Sequence, residues 1–132
     1  SINITFNKDS DKILIESDKE QISRMFLNLI KNSIESINQK AQNNNNFSKK
    51  IAIELNEDDG HIKVTLEDNG VGFNDLKDNI KNILNPYFTT KKNGTGLGLS
   101  IVNKIINDHN GTINFIPIKN GAKINIIFLK QK

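Results

Sequence analysis

The chain contains no cysteine. That excludes disulfides and thiolate metal sites, and it fits a reducing compartment. It also lacks long apolar runs: the longest are a few residues, far short of the ~20 that cross a bilayer as a helix. No charged-then-apolar leader opens the chain, so no export signal is visible, although the chain could be a piece of a membrane-bound parent. Arginine is nearly absent, Arg24 being the only one. The 18 basic and 15 acidic residues are interspersed, the net charge is +3, and no arginine-rich patch appears. Nucleic-acid binding is therefore not favoured. No internal repeat is visible. What is present is a chain of 132 residues, read as one domain over 1–132 with a single core. Asn, Ile and Lys are abundant. That bias makes any single Asn weak evidence, so spacing carries the argument.

Alternation of apolar and polar residues predicts strands at 2–6 and 12–16. Ser17 or Asp18 is a plausible N-cap, with Glu20 and Gln21 behind it in the first turn of a helix running to about residue 41. Ile22, Met25, Phe26, Leu29, Ile30, Ser33 and Ile37 share one face of that helix. A polar, Asn-rich loop over 42–48 follows. Strands at about 51–57 and 61–67 are joined by Asp58-Asp59-Gly60, a strong hairpin signal. A short helix near 75–84, a loop around Pro86 and a second long helix over 96–109 come next, the last ended by Asn110-Gly111. Strands at about 112–117 and 122–129 close the chain. Hairpins with helices on one side predict an α+β two-layer sandwich, a mixed and mostly antiparallel sheet packed against about three helices. Strands and helices do not alternate as in a βαβ nucleotide fold.

Three stretches carry chemistry. Asn28 and Asn32 lie four apart on the first long helix, so both side chains point the same way, at the edge of the apolar stripe. An amide oxygen is a hard, neutral ligand suited to Mg²⁺ when phosphate oxygens supply the charge. Taken alone, the pair reads better as solvent-facing Asn. Asp68-Asn69-Gly70-Val71-Gly72 follows directly on a predicted strand. Its glycines allow a sharp turn and close approach of a planar ring. A carboxylate at the base of such a pocket could accept from the adenine amine, where guanine would present a repelling oxygen. The same tripeptide Asp-Asn-Gly is also a common plain turn. Gly94-Thr95-Gly96-Leu97-Gly98-Leu99 leads into the second long helix. A glycine-rich loop at a helix N-terminus presents N–H groups to phosphate. Thr95 could add a hydroxyl, and Lys91 and Lys92 stand just upstream. Read alone, it is flexible punctuation before a helix.

In combination, the three stretches resemble the catalytic, ATP-binding domain of sensor histidine kinases. That domain lies within the Bergerat-fold superfamily that includes DNA gyrase, mismatch-repair and heat-shock chaperone ATPases. The resemblance spans about residues 12–129. It implies Asn32 as the Mg²⁺ ligand, with Asn28 one turn earlier, and Asp68, Gly70 and Gly72 as the first glycine box, Asp68 reading adenine. The Pro/Phe box maps onto Asn85-Pro86-Tyr87-Phe88-Thr89-Thr90-Lys91, and the second glycine box onto Gly94, Gly96 and Gly98, with Thr95 and Leu97 between them. Lys91 is counted with Asn28 and Asn32 as catalytic, and Phe88 and Lys92 with the nucleotide-binding set. The short lid, Pro86 to Lys91 and Asp108-His109-Asn110-Gly111 are most similar to the nitrogen-regulation branch of sensor kinases. Glu35 and Ser36 stand where many relatives carry a basic and an aromatic residue. Lys91 or Lys92 could then take over the phosphate contact. Asn110 stands where a Gly is common, and Asn tolerates left-handed geometry.

In hydrolytic relatives the residue four before the metal Asn is a water-activating Glu; here it is Asn28, which cannot act as a base. The resemblance thus implies ATP and Mg²⁺ as cofactors and transfer of the γ-phosphate to a histidine, by positioning and charge stabilisation. His61 reads as an exposed turn residue and His109 as a partly buried helix-end residue, so the acceptor histidine lies elsewhere. The implied partners are the parent kinase's helical dimerisation (histidine-phosphotransfer) domain and a downstream response regulator, with no nucleic acid and no direct membrane contact by this domain. The implied location is cytoplasmic, under a parent that could be anchored in the inner membrane. Two alternatives remain: an ATP-hydrolysing conformational switch of the same superfamily, and a degenerate nucleotide-binding module without transfer activity. The stretch 87–96 is expected to act as a lid.

Overall fold

Apolar residues spaced four apart make the first helix one-sided, and a helix of this kind is held mostly by what its stripe packs against. The computed structural model describes residues 2–8, 19–43, 46–58, 60–72 and 98–129. In it helix α1 spans Lys19–Asn43. Met25, Leu29, Ser33, Ile37 and Ala41 are buried along it, with Ile22, Phe26, Ile30 and Ile34 half-buried beside them. Helix α2, Gly98–Asp108, buries Val102, Ile105 and Ile106. It ends as its sequence predicts. Asn110 takes a left-handed φ of 59°, and the Gly111 N–H donates back to the Ile106 carbonyl at 2.9 Å.

Five strands form one sheet: β1 (Asn3–Lys8), β2 (Lys50–Glu57), β3 (His61–Asp68), β4 (Thr112–Ile118) and β5 (Gly121–Leu129). Their spatial order is β1-β2-β3-β5-β4. β1 runs parallel to β2, and every other pairing is antiparallel. The β2–β3 hairpin is closed by Asp58, whose Oδ1 accepts the N–H groups of Gly60 (2.9 Å) and His61 (2.7 Å). The expected mixed, mostly antiparallel sheet is therefore present, with helices on one face. The first strand sits one to two residues later than its pattern suggests. The other described elements match to within two residues. The expected strand at 12–16, the short helix at 75–84, the loop around Pro86 and residues 96–97 lie outside the described residues.

Register decides what faces the helices. Ile53, Leu66, Ile124 and Phe115 form one cross-strand row, and Leu55, Val64, Ile126 and Ile113 the next. All eight belong to the core or pack against it, together with α1 and α2. The opposite face is mostly polar: Glu67 lies across from Lys123, and the Thr65 hydroxyl donates to Asn125 Oδ1 at 3.1 Å, with Ile116 and Ile127 among the large apolar residues on it. Fully burying one large aliphatic side chain contributes about 1.5–3 kcal/mol, so these rows anchor the sheet to both helices. One row breaks the apolar pattern. It reads Ile51, Asp68, Ala122, placing a carboxylate on the inner face at the end of β3.

Candidate functional site

A carboxylate at a core-facing position must be satisfied by donors or become neutral. Asp68 is only 6% exposed. Its Oδ1 accepts the Gly70 N–H at 2.9 Å, and the Ser33 hydroxyl of α1 donates to the same carboxylate. Burial pushes its pKa above the ordinary value; the Gly70 N–H and the Ser33 hydroxyl pull it back, Glu67 raises it and Lys40 lowers it. An ionised carboxylate offers about four acceptor sites, so these two bonds leave it capacity for a ligand's N–H.

The turn after Asp68 is tied to neighbouring stretches of chain. The Asn69 N–H donates to the Lys50 carbonyl at 3.3 Å, and the Lys50 N–H donates to Asn69 Oδ1 at 2.9 Å. The Asn69 amide nitrogen donates to the Ser48 carbonyl, and the Asn69 carbonyl accepts from Lys40 Nζ at 3.0 Å. The Val71 N–H donates to Ser36 Oγ at 3.0 Å. Among the described residues no buried side-chain nitrogen or oxygen lacks a partner.

The glycines here have reasons the sequence alone did not supply. A Cβ on Gly70 would lie 2.7 Å from the Ser36 carbonyl carbon and 2.8 Å from Ile37 N. Gly70 is required because the turn touches the backbone of α1. Gly72 has φ +71°, and its Cβ would strike the Gly121 carbonyl. A Cβ on Gly121 would in turn strike the Asp68 carbonyl and stand 3.2 Å from Asn69 Cα. The start of β5 thus packs closely against the Asp68 turn.

Asn28 and Asn32 are half-buried, at the edge of α1's buried stripe as their helical phase predicts. Among the described residues no group of three or more His, Cys, Asp or Glu could hold a metal. A divalent cation at this edge of α1 would use amide and ligand oxygens, a donor set that suits Mg²⁺. Gly98 opens α2. Phe88, Lys91, Lys92, Gly94, Thr95, Gly96 and Leu97 lie outside the described residues, as does the expected lid. His61 is exposed, with Nδ1 3.6 Å from Asp58. His109 is half-buried, its Nδ1 2.7 Å from the Ile105 carbonyl. Both match their expected surroundings.

Residues 17–132 match the family of histidine kinase-, DNA gyrase B-, and HSP90-like ATPases. The chain belongs to this family. Among the similar proteins is sensor histidine kinase ZraS of Escherichia coli O157:H7, 31% identical over 95% of this chain and 25% of the relative. Sporulation kinase A of Bacillus subtilis (strain 168) is 36% identical over 85% of this chain and 16% of the relative. The chain therefore spans a quarter or less of the length of these relatives. The catalytic domain of histidine kinase ThkA, in a nucleotide-free form, superposes with a TM-score of 0.79 at 32% identity, covering 98% of this chain and 79% of that one. ThkA in complex with response regulator protein TrrA superposes at 0.75 with 28% identity, covering 98% and 34%. No helix among the described residues is long and apolar enough to cross a membrane.

Ser33, Ser36, Lys40, Asn69 and Gly121 were not singled out by the sequence as site-building residues. Ser33 had a signal: it is the one polar position in the series 25, 29, 33, 37. Ser36 and Lys40 continue the Asn28–Asn32 spacing of four. Gly121 had none, because its contact is with a strand end more than fifty positions away.

Proposed function

We propose that this domain binds ATP with Mg²⁺ and transfers the γ-phosphate to a histidine on a separate helical dimerisation domain, as the catalytic part of a two-component kinase. The observation that carries the reading is Asp68: a buried carboxylate on the core face, held by Gly70 and Ser33, with acceptor capacity left for one more donor. On this reading it accepts the adenine amine, and Gly70 and Gly72 shape the turn beneath the ring. Asn32 holds the cation, with Asn28 in support, and Mg²⁺ would neutralise charge on the phosphates. Lys91 and Lys92 contact phosphate, and Gly94, Thr95, Gly96, Leu97 and Gly98 cradle it, with Phe88 in the same nucleotide-binding set. In the transfer, a histidine nitrogen bonds to the γ-phosphorus while the bond to the β–γ bridging oxygen breaks and ADP leaves. Asn28 in place of a basic carboxylate favours transfer over hydrolysis. A response regulator would take the phosphoryl group onward, a reading supported by ThkA, which is seen in complex with one. We place the domain in the cytoplasm of its cell, as a single catalytic unit over residues 1–132.

The test is calorimetry with ATP and GTP, with and without Mg²⁺. ATP is expected to bind, and GTP to bind ten- to a hundredfold more weakly, because an acceptor facing an acceptor leaves a buried group unpaired at ~1–3 kcal/mol. Equal affinity for the two nucleotides would remove Asp68 from the adenine-reading role.

A further inference from the structure

Asn28, Asn32, Ser36 and Lys40 lie four apart along α1. The first two are the proposed metal end. The last two hold the turn that follows Asp68: Ser36 through the Val71 N–H and Lys40 through the Asn69 carbonyl. A lysine in the last turn of a helix is ordinarily a solvated cation that complements the helix dipole. Lys40 is not so placed. It is half-buried, its ammonium donates to one carbonyl, and it stands 4.8 Å above the centre of the Phe47 ring. Phe47 itself packs against the core. The ring supports the cation from the loop side while Asn69, tied to Lys50 and Ser48, presents the carbonyl.

From this geometry we infer that Lys40 is a positioning residue for nucleotide recognition, acting through Asn69 and with Phe47 to fix the Asp68 turn at one height along α1. The inference rests on the nucleotide-binding reading above and deepens it. A helix rises about 1.5 Å per residue, so Asn32 and Lys40 are roughly 12 Å apart along the axis. Clasping the turn at Ser36 and Lys40 fixes the adenine acceptor itself, so losing the clasp acts on adenine binding with or without the metal. Misplacement by ~1 Å can cost on the order of 100-fold in a reaction that depends on alignment. Among the described residues, the charges that act on Asp68 are those of Glu67 and Lys40, so Lys40 also favours the carboxylate form that accepts a hydrogen bond.

The experiment uses the full chain and three variants: Lys40→Met, which keeps the stem and removes the ammonium; Lys40→Arg, which keeps a cationic donor; and Phe47→Leu. Binding of ATP with Mg²⁺ and of ADP without it is measured by calorimetry across pH, beside a thermal melt. Lys40→Met is expected to weaken both ligands by the same factor, about tenfold. The pH at which binding fails should move upward, and Lys40→Arg should restore most of the affinity. Phe47→Leu should weaken both ligands by a smaller common factor, and it carries the test if Lys40→Met fails to fold. Wild-type affinity in a folded Lys40→Met variant, or in Phe47→Leu where that variant carries the test, would overturn the inference. Loss confined to the Mg²⁺-dependent part would do the same. Asp68→Asn, run in parallel, separates the two levels: if it abolishes binding while Lys40→Met does not weaken it, only the clasp falls. If the unaltered chain binds no nucleotide, the underlying reading falls with it.

Discussion

Asp68→Asn is expected to remove most adenine-nucleotide affinity while leaving the domain folded, with a melting temperature at neutral pH equal to or above that of the unaltered chain. The two halves of this result come from one cause. Burial raises the Asp68 pKa in the folded state. A carboxyl whose folded pKa lies above its unfolded value of about 3.9 favours folding most below that value, and the favour is lost as pH rises through the folded pKa. At neutral pH the buried charge therefore opposes folding, and Asn removes that opposition. Asn can still accept the Gly70 N–H through its amide oxygen. It cannot offer the adenine amine an acceptor-only group, and its own NH₂ must be oriented away. The same sign governs the ligand: ATP affinity should fall as pH drops through the folded pKa of Asp68, because the protonated acid loses acceptor capacity. Calorimetry against pH, with melts of both chains, reads all of this. A destabilised variant that still binds ATP normally would mean that Asp68 serves the core and not the ligand.

Asn32→Ala is expected to lower phosphoryl transfer by on the order of 100-fold, the scale of loss when reacting groups are misplaced by about an ångström. Fold and adenine selectivity should persist. Asn32 is half-buried at the edge of α1's buried stripe, and Ala is the best helix former, so the helix has no reason to break. The ATP-to-GTP preference should stay, because Asp68 and its partners are untouched. Asn28→Ala should cost less, in keeping with a supporting place one turn away. Transfer measured at saturating ATP, with Mg²⁺ titrated, distinguishes a lost metal ligand from a lost nucleotide contact. If the Asn32→Ala variant transfers at the normal rate, the metal end of the site lies elsewhere.

The elements that periodicity governs were legible in the sequence. The stripe Met25, Leu29, Ser33, Ile37 and the alternation in β3 both reappear as buried faces. The parallel β1–β2 edge was not legible. Pairing partners distant in sequence leave no local pattern, so a mixed sheet could be expected without knowing which strand runs parallel. In the site, Asp68 stood out because it directly follows a predicted strand and is itself followed by Gly70 and Gly72. What held it did not stand out. Ser36 looked like a missing aromatic ring, yet its hydroxyl binds the Val71 N–H. Asn69 looked like a turn filler, yet both its side chain and its carbonyl tie the turn to its neighbours. Such roles depend on contacts across the fold, and composition cannot announce them.

On the proposed function, this domain hands a phosphoryl group to a histidine it does not itself carry. The most direct measurement is incubation of the chain with γ-labelled ATP and Mg²⁺, alone and with a separately supplied dimerisation domain bearing the acceptor histidine. His61 and His109 are expected to stay unlabelled, one exposed beside Asp58 and the other hydrogen-bonded to its own helix. Phosphate release without an acceptor should be very slow, and acid-labile label should appear on the added domain. Label on the chain itself, or brisk phosphate release with no acceptor present, would contradict the account.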